Sequence, residues 1–415
     1  MHHFFLARYN GTDFYSITPV HMKDFKVLQS RRKTRVVDVG GVGIGGDNPI
    51  RVQTMTNTDT LDIDATVAQI RACVKAGSEL IRLTTPTPKH ARALGVIRER
   101  LEAMGISVPL IADVHFLPAA AFEALKWADK IRLNPGNFLD GKMFRSMEFS
   151  DASYEKEIVR IEEGLLPFIE ATKQAGKAIR IGSNHGSLSD RVLSRFGDTP
   201  LGMVESAMEY LRIFRKHDCN DIVVAMKASD PLIMIEANRL LVHALEKEDM
   251  EYPIHLGVTE AGSGEDGRAK STIGIGTLLL EGIGDTIRVS LTEDPVKEIP
   301  TCYGILQATH RRITKTEFIS CPSCGRTLFD IEPVTNIIKE RMGHLKGVRI
   351  AIMGCIVNGL GEMADADFGY VGGAHGKVNL YRRKELVRRD VPSADAVEVL
   401  TELIKADGKW VEPKE

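Results

Sequence analysis

Three cysteines in the last quarter of the chain carry the sharpest chemical signal. Cys321-Pro-Ser-Cys324 has C-x-x-C spacing, and Cys355 follows in the run Gly354-Cys355-Ile-Val-Asn358-Gly-Leu-Gly-Glu362. Thiolates so spaced grip one metal or neighbouring irons, and soft sulfur selects zinc or iron–sulfur clusters. Cys355 ends an apolar strand-like run and enters a glycine-rich turn, where backbone amides can approach cluster sulfurs. A structural zinc site wants a fourth Cys or His, and the nearest, His344 and His375, lack ribbon spacing. A redox dithiol needs only the first pair. Spacing alone leaves all three open, with iron–sulfur the best fit. The other cysteines, Cys73, Cys219 and Cys302, fall within or beside helical runs and read as small buried apolar residues. Six cysteines in a chain this long are no disulfide scaffold and point to a reducing compartment.

A second constellation lies at the ends of strand-like runs. Arg82, Asp113 and His115, Arg132 and Asn134, Arg180 and Asn184, Lys227, His255 and Glu260, and Arg288 and Ser290 each sit at or near such an end. Several are two residues apart (113/115, 132/134, 288/290), so they share a face of an extended strand. Their neighbours Ile131, Leu133, Ile287, Val289 and Leu291 are apolar. If helices cover the outside, the apolar face points out and the polar face in. Four arginines and a lysine in one mouth are too many for Asp113 and Glu260 to neutralise. A ligand with more than one negative charge accounts for them, and the planar guanidinium suits phosphate. Scattered surface ion pairs, the bland alternative, do not explain the alternation.

The elements that must position these residues are regular. From residue 50 onward, short β-branched runs (50–55, 80–85, 109–116, 130–136, 177–184, 221–229, 253–262, 285–293) alternate with helical patterns, as over 65–76, 94–104, 203–214 and 232–245. Eight strand–helix units between about 50 and 312 imply a parallel sheet and match a TM (β/α)₈ barrel in size, with the active site at the C-terminal mouth. An open doubly wound sheet is the alternative. The segment 138–158 breaks the rhythm and reads as an extended loop over one face. After Arg312 the pattern changes to a strand (EFISC), a helix (334–342), a strand (348–355), a glycine turn and a helix (394–404). The expected organisation is an N-terminal extension (1–33), a barrel (34–312) and a small α/β cysteine-bearing domain (313–415).

The 415 residues exceed what one core usually supports. A net charge of −2 excludes a generally basic surface for nucleic acid, so anion recognition must be local. No apolar run of about 18 residues suggests a membrane span. The N-terminus lacks the layout of a signal peptide, Met22 is a second candidate start, and the expected location is cytoplasmic. Gly41-Val-Gly43-Ile-Gly45-Gly46 satisfies G-x-G-x-x-G, but a strand rather than a helix follows it. It reads as a tight hairpin before the barrel instead of a dinucleotide fingerprint.

VQTMTNTDT, ADVHF, IRLNPGN, IRIGSNHGSLSDR, MKASD, HLGVTEAG, EGIGDTIRVSLT, SCPSCGR and GCIVNGLGE occur in this order over roughly residues 34 to 375. Together they resemble the 4-hydroxy-3-methylbut-2-en-1-yl diphosphate synthase family of the methylerythritol phosphate route to isoprenoids. The resemblance implies reductive ring opening of 2-C-methyl-D-erythritol 2,4-cyclodiphosphate, with two electrons arriving from flavodoxin or ferredoxin through a [4Fe–4S] cluster. It places the cluster ligands on Cys321, Cys324, Cys355 and Glu362 and the catalytic acid of the barrel on Glu260. On this reading Arg82, Asp113, His115, Arg132, Asn134, Arg180, Asn184, Lys227, His255, Arg288, Ser290 and Asn358 bind the cyclic diphosphate. Glu362 is expected to be a displaceable ligand with a catalytic part. The rival enzyme class is a pterin- or phosphate-binding barrel transferase with a zinc-stabilised tail.

Two departures from the family pattern stand out. Leu360 replaces a usual proline and loosens the turn that carries Glu362. NHGSLSDR and the long loop resemble the plant and chlamydial form, yet only about ten residues separate Leu306 from Thr316, so the domain inserted there in that form is absent. The last barrel helix ends at the bottom of the barrel, opposite the mouth. A tether this short favours a homodimer in which the cysteine-bearing domain caps the partner's barrel, the arrangement implied by relatives of this form.

Overall fold

The computed structural model describes residues 27–140 and 149–413. Met22 and the rest of residues 1–26 lie outside the described residues, as does the centre of the 138–158 segment. Two short strands come first, β1 (Val37–Val39) and β2 (Val42–Ile44), paired as an antiparallel hairpin. The glycine run is therefore a hairpin turn, as its context implied. Gly45 has φ +86, and a Cβ there would stand 2.2 Å from the Arg35 carbonyl oxygen. Only glycine fits so close an approach.

Eight parallel strands follow: β3 (Arg51–Met55), β4 (Leu80–Thr84), β5 (Leu110–Asp113), β6 (Lys130–Leu133), β7 (Ala178–Asn184), β8 (Ile222–Lys227), β9 (His255–Leu256) and β10 (Thr286–Ile287). Their order, β8-β7-β6-β5-β4-β3-β10-β9, closes through a parallel bridge between Val224 and Ile254. This is the (β/α)₈ barrel, not the open sheet. The helices between are α1 (Ile63–Lys75), α2 (Pro88–Ala103), α3 (Pro118–Ala124), α4 (Pro135–Phe138), α5 (Asp151–Ala175), α6 (Asp190–Phe196), α7 (Pro200–Lys216), α8 (Pro231–Lys247), α9 (Gly264–Leu280) and α10 (Glu298–Ala308). Proline opens five of them, where its missing N–H costs nothing. Asp62 caps α1 and Ser150 caps α5 through side-chain oxygens. The expected loop over 138–158 is thus interrupted, because α5 begins at Asp151.

The outward strand residues pack against the helices in one large apolar core. Inside, the hairpin plugs the bottom: Val37, Val39 and Ile44 cluster with Leu80, Ile111, Ala178 and Val223 from the starts of four strands. Above this plug the interior is polar to an extent the sequence pattern did not suggest, with Gln53, Lys130 and His255 at 0–1% exposure.

The C-terminal unit is a five-stranded sheet, β11 (Glu317–Ser320), β12 (Arg349–Met353), β13 (Phe368–Ala374), β14 (Lys377–Arg382) and β15 (Glu385–Pro392), carrying α11 (Ile331–Met342), α12 (Ile356–Glu362) and α13 (Ala396–Ala406). The first three strands are parallel and the last two antiparallel. The sequence reading missed the hairpin strands β13–β15. It also took the glycine run after Cys355 for a turn, whereas the run forms α12. Arg311 and Arg312 pin the chain beneath the barrel. Arg312 Nη1 donates to the Ile50 carbonyl (3.0 Å) and to Glu79 (2.7 Å), and Arg311 Nε donates to the Leu279 carbonyl (2.7 Å). Gln307 of α10 then donates to the carbonyls of Lys315 and Thr316, so the sheet is rooted at the bottom of its own barrel.

Candidate active site

The C-terminal ends of the barrel strands bring the expected cations together. Arg132 Nη1 lies 3.5 Å from Asp113 Oδ1 and 2.8 Å from His115 Nε2, and Arg132 Nη2 donates to the Gly182 carbonyl (3.2 Å). Arg82 Nε lies 3.8 Å from Asp113 Oδ2 and makes a 3.1 Å contact to Met55 Sδ, which Arg288 also approaches at 3.4 Å. Arg180 is in register with Arg132, and Lys227 with Asn184. A Cβ at Gly257 would stand 2.8 Å from Lys227 Nζ, so the bare glycine leaves room for that ammonium. Arg82, Arg132, Arg180 and Lys227 are all under 10% exposed.

These charges are uncomfortable as they stand. Burial, with Arg82 and Arg132 beside it, holds Arg180 well below the usual arginine range. Burial draws Arg82 down to about 10, Asp113 opposing and Arg288 and Arg132 adding to the effect. Burial and the neighbouring arginines hold Lys227 well below the lysine range. A guanidinium does not give up its proton in a protein. The shifts therefore express first the cost of burying these charges and then their mutual repulsion, both of which a bound polyanion would offset. For Asp113, burial alone pushes the carboxyl up, but Arg82, Arg132 and His115 outweigh it and hold it well below the carboxylate range.

The second neutralising acid is Glu298, which the sequence reading missed. It is 1% exposed at the start of α10. It accepts from Arg288 Nε and Nη2 (both 3.2 Å), from Thr54 Oγ1 (2.9 Å) and from the Leu291 amide (3.1 Å). Glu260, expected to share that duty, is exposed on the loop after β9 with φ +53. A non-glycine residue in that region is strained, a condition concentrated at functional loops. Arg288 and Ser290 lie just beyond β10, and His115 and Asn134 just beyond β5 and β6, so strand alternation does not by itself orient them. Asn134 caps α4 by accepting from Gly136 N (3.3 Å) and donates to Ser187 Oγ (3.2 Å). His255 is fully buried, with Nδ1 3.4 Å from Thr286 Oγ1.

The cysteines occupy the equivalent position in the second sheet. Cys321 follows β11, Cys355 follows β12, and the two strands are in register from Glu317/Arg349 to Ser320/Ile352. Cys321 Sγ accepts from the Gly354 amide (3.3 Å), and the Cys324 amide donates to Thr327 Oγ1 (3.1 Å). The exposed Arg326 is held above the usual arginine range, first by a hydrogen bond to Cys324 and further by the negative charges of Cys355 and Glu362. Among the described residues no three His, Cys, Asp or Glu are close enough to hold a single ion. Ligands of a multi-iron cluster bind different irons and stand further apart, and three partly exposed thiols with an amide donor to sulfur suit such a cluster. The Asn358 side chain lies outside the described residues.

Residues 34–303 match the family model described as the GcpE TIM-barrel domain, and residues 317–406 match the GcpE protein C-terminal domain. The chain belongs to the GcpE family. Curated GcpE-family relatives include a protein of Prochlorococcus marinus, 54% identical over 92% of this chain and 94% of its own length. A protein of Thermosynechococcus vestitus is 51% identical over 95% of this chain and 99% of its own length. Both are named 4-hydroxy-3-methylbut-2-en-1-yl diphosphate synthase (ferredoxin). The sialic acid synthetase structure from Leptospira borgpetersenii superposes with a TM-score of 0.43 at 12% identity, covering 74% of this chain and 96% of that one; so distant a likeness carries no argument about activity. No helix among the described residues of this GcpE-family chain is long and apolar enough to cross a membrane.

Proposed function

We infer that this chain is an iron–sulfur oxidoreductase that opens 2-C-methyl-D-erythritol 2,4-cyclodiphosphate reductively to (E)-4-hydroxy-3-methylbut-2-enyl diphosphate, with ferredoxin as electron donor. The observation that carries the reading is the surplus of sealed positive charge in the mouth. Among the described residues, Arg82, Arg132, Arg180, Lys227 and Arg288 face two buried carboxylates, Asp113 and Glu298. A cyclic diphosphate supplies the missing negative charge. The names of the Prochlorococcus marinus and Thermosynechococcus vestitus relatives do not favour the transferase reading with a zinc tail.

Cys321, Cys324, Cys355 and Glu362 would hold a [4Fe–4S] cluster. When bound, such a cluster supplies electrons one at a time and a Lewis-acidic iron. The barrel's own part is to bind and orient. The arginines and Lys227 fix the diphosphate, Asn184, His115 and Ser290 line its approach, and Glu260 holds the proton that leaves with the departing hydroxyl as water. The test is turnover of the cyclic diphosphate by anaerobically purified protein with a reduced one-electron donor. No product under those conditions overturns the reading.

Two variants separate the parts. Arg132→Leu should weaken binding of the cyclic diphosphate by about 1.5–3 kcal/mol, the cost of one charge-assisted contact, and an unchanged binding isotherm would place the anion elsewhere. Glu362→Ala should keep much of its iron yet lose most turnover, because the exposed carboxylate at the end of α12 is the hard, replaceable member of the ligand set. Full activity in that variant would remove Glu362 from the chemistry.

The active site is proposed to form in trans within a homodimer. Thr316 is fixed at the bottom of the barrel, and Cys321 lies five residues on, within about 17 Å along a strand. The mouth is roughly 30 Å away, the height of a small domain. Apolar side chains stand exposed beside both halves: Phe116 (66%) and Leu117 (46%) after β5, Ile356 (47%) and Val357 (63%) after Cys355. A partner's barrel would cover the second pair with the first.

A further inference from the structure

Lys130 has no part in the site described so far. It lies two residues below Arg132 on the same face of β6, with 0% of its surface exposed. Its Nζ has no hydrogen-bond partner among the described residues. The charges that act on it most strongly are positive. Arg82 on β4 and Arg180 on β7 act on it directly, Arg132 stands above it on its own strand, and His255 of β9 shares the same interior. Asp113, the carboxylate of that region, is engaged by Arg82, Arg132 and His115. Nearby, both side-chain polar atoms of Gln53 and Nε2 of His255 are likewise buried without partners.

Folding does not account for a lysine here. An unpaired ammonium sealed among cations destabilises the barrel, and an apolar chain of the same length would pack better. Polar atoms buried without partners call for an occupant. We propose that Lys130 is a further substrate-binding residue, reaching up from the floor of the barrel to the innermost oxygens of the bound diphosphate, and that it gains its proton from solvent as the substrate binds. The inference rests on the proposed function, because it needs an anion in the mouth. Burial, with Arg180 and Arg82 alongside, holds the Lys130 amine well below the lysine range, a shift toward the neutral form in the empty barrel. Phosphoryl oxygens reverse that preference by supplying opposite charge and acceptors. Burial and the same cations hold His255 well below the histidine range, which leaves it a neutral hydrogen-bonding neighbour.

The experiment is titration calorimetry on anaerobically prepared, cluster-loaded protein without reductant. The ligand is the cyclic diphosphate, at one pH, in two buffers of different ionisation heat. Wild type should take up protons on binding. Lys130→Met should take up fewer, bind about tenfold or more weakly, and unfold at a higher temperature without ligand. Lys130→Arg, whose guanidinium is already protonated, should likewise take up fewer protons, so the inference stays testable should the methionine variant misfold. Unchanged affinity or unchanged proton uptake in Lys130→Met overturns the role of Lys130. If that occurs while Arg132→Leu still weakens binding, the substrate reading stands and only this inference falls. Failure of wild type to bind the cyclic diphosphate overturns both.

Discussion

Cys321→Ser, Cys324→Ser and Cys355→Ser are each expected to lose iron and to cut turnover by more than the 10–100-fold typical of changes behind the ligands of a metal site. A hydroxyl is a poor substitute for a thiolate at iron. The fold supplies its own controls. Burial pushes the thiols of Cys73 and Cys302 up to about 12 and that of Cys219 to about 11, so these three stay protonated and bind no metal at neutral pH. Cys73→Ser, Cys219→Ser and Cys302→Ser should therefore retain full iron, whatever small cost in stability a buried hydroxyl brings. Elemental analysis and visible absorption of the six anaerobic preparations decide the matter. Stoichiometric zinc with little iron in wild type would overturn the cluster.

Mixing a Glu260→Gln chain with a Cys355→Ser chain, each inactive alone, is expected to restore about a quarter of wild-type activity under random pairing into two-fold dimers. Half the dimers are then mixed, and in a trans arrangement one of the two sites in each has both an intact barrel loop and an intact set of thiols. This expectation rests on how the cysteine-bearing sheet is rooted. Gln307 holds Lys315 and Thr316 to the end of α10, so the residues that could carry Cys321 to its own mouth are too few. Mixed dimers that form but show no activity would mean that each chain closes on itself.

Much of this was legible in the sequence. Eight β-branched runs separated by amphipathic helices give a barrel because periodicity is a local property of the chain. The same locality exposed the cations: Arg132 and Lys227 stand where an apolar strand turns polar, and a polar end inside a parallel barrel has only the mouth to face. The cysteine spacing narrowed the metal chemistry, and the ordered motifs pointed to the family. Local pattern failed where the ladder stops early. The runs 253–262 and 285–293 look like full strands, yet the strands proper are only His255–Leu256 and Thr286–Ile287, with a single further bridge at Ile254. Beyond them the backbone leaves the sheet to carry Glu260, Arg288 and Ser290. It failed again after Cys355, where glycines that read as a turn form α12 beneath a sheet whose hairpin strands were not foreseen.

The sequence by itself determined the element types of the barrel, its closure into eight units, the positive mouth and the three thiols, because each is written in local pattern. The tertiary structure alone decided how those charges are balanced and how deep they lie. Glu298 lies buried between Arg288 and Thr54 because α10 packs beside β3, which brings it to Thr54 across 244 residues. Lys130 is sealed only because the hairpin of Val37–Ile44 plugs the bottom of the barrel and the bridge from Val224 to Ile254 closes its wall. Burial and electrostatic balance are sums over neighbours distant in sequence, and no local pattern contains that sum.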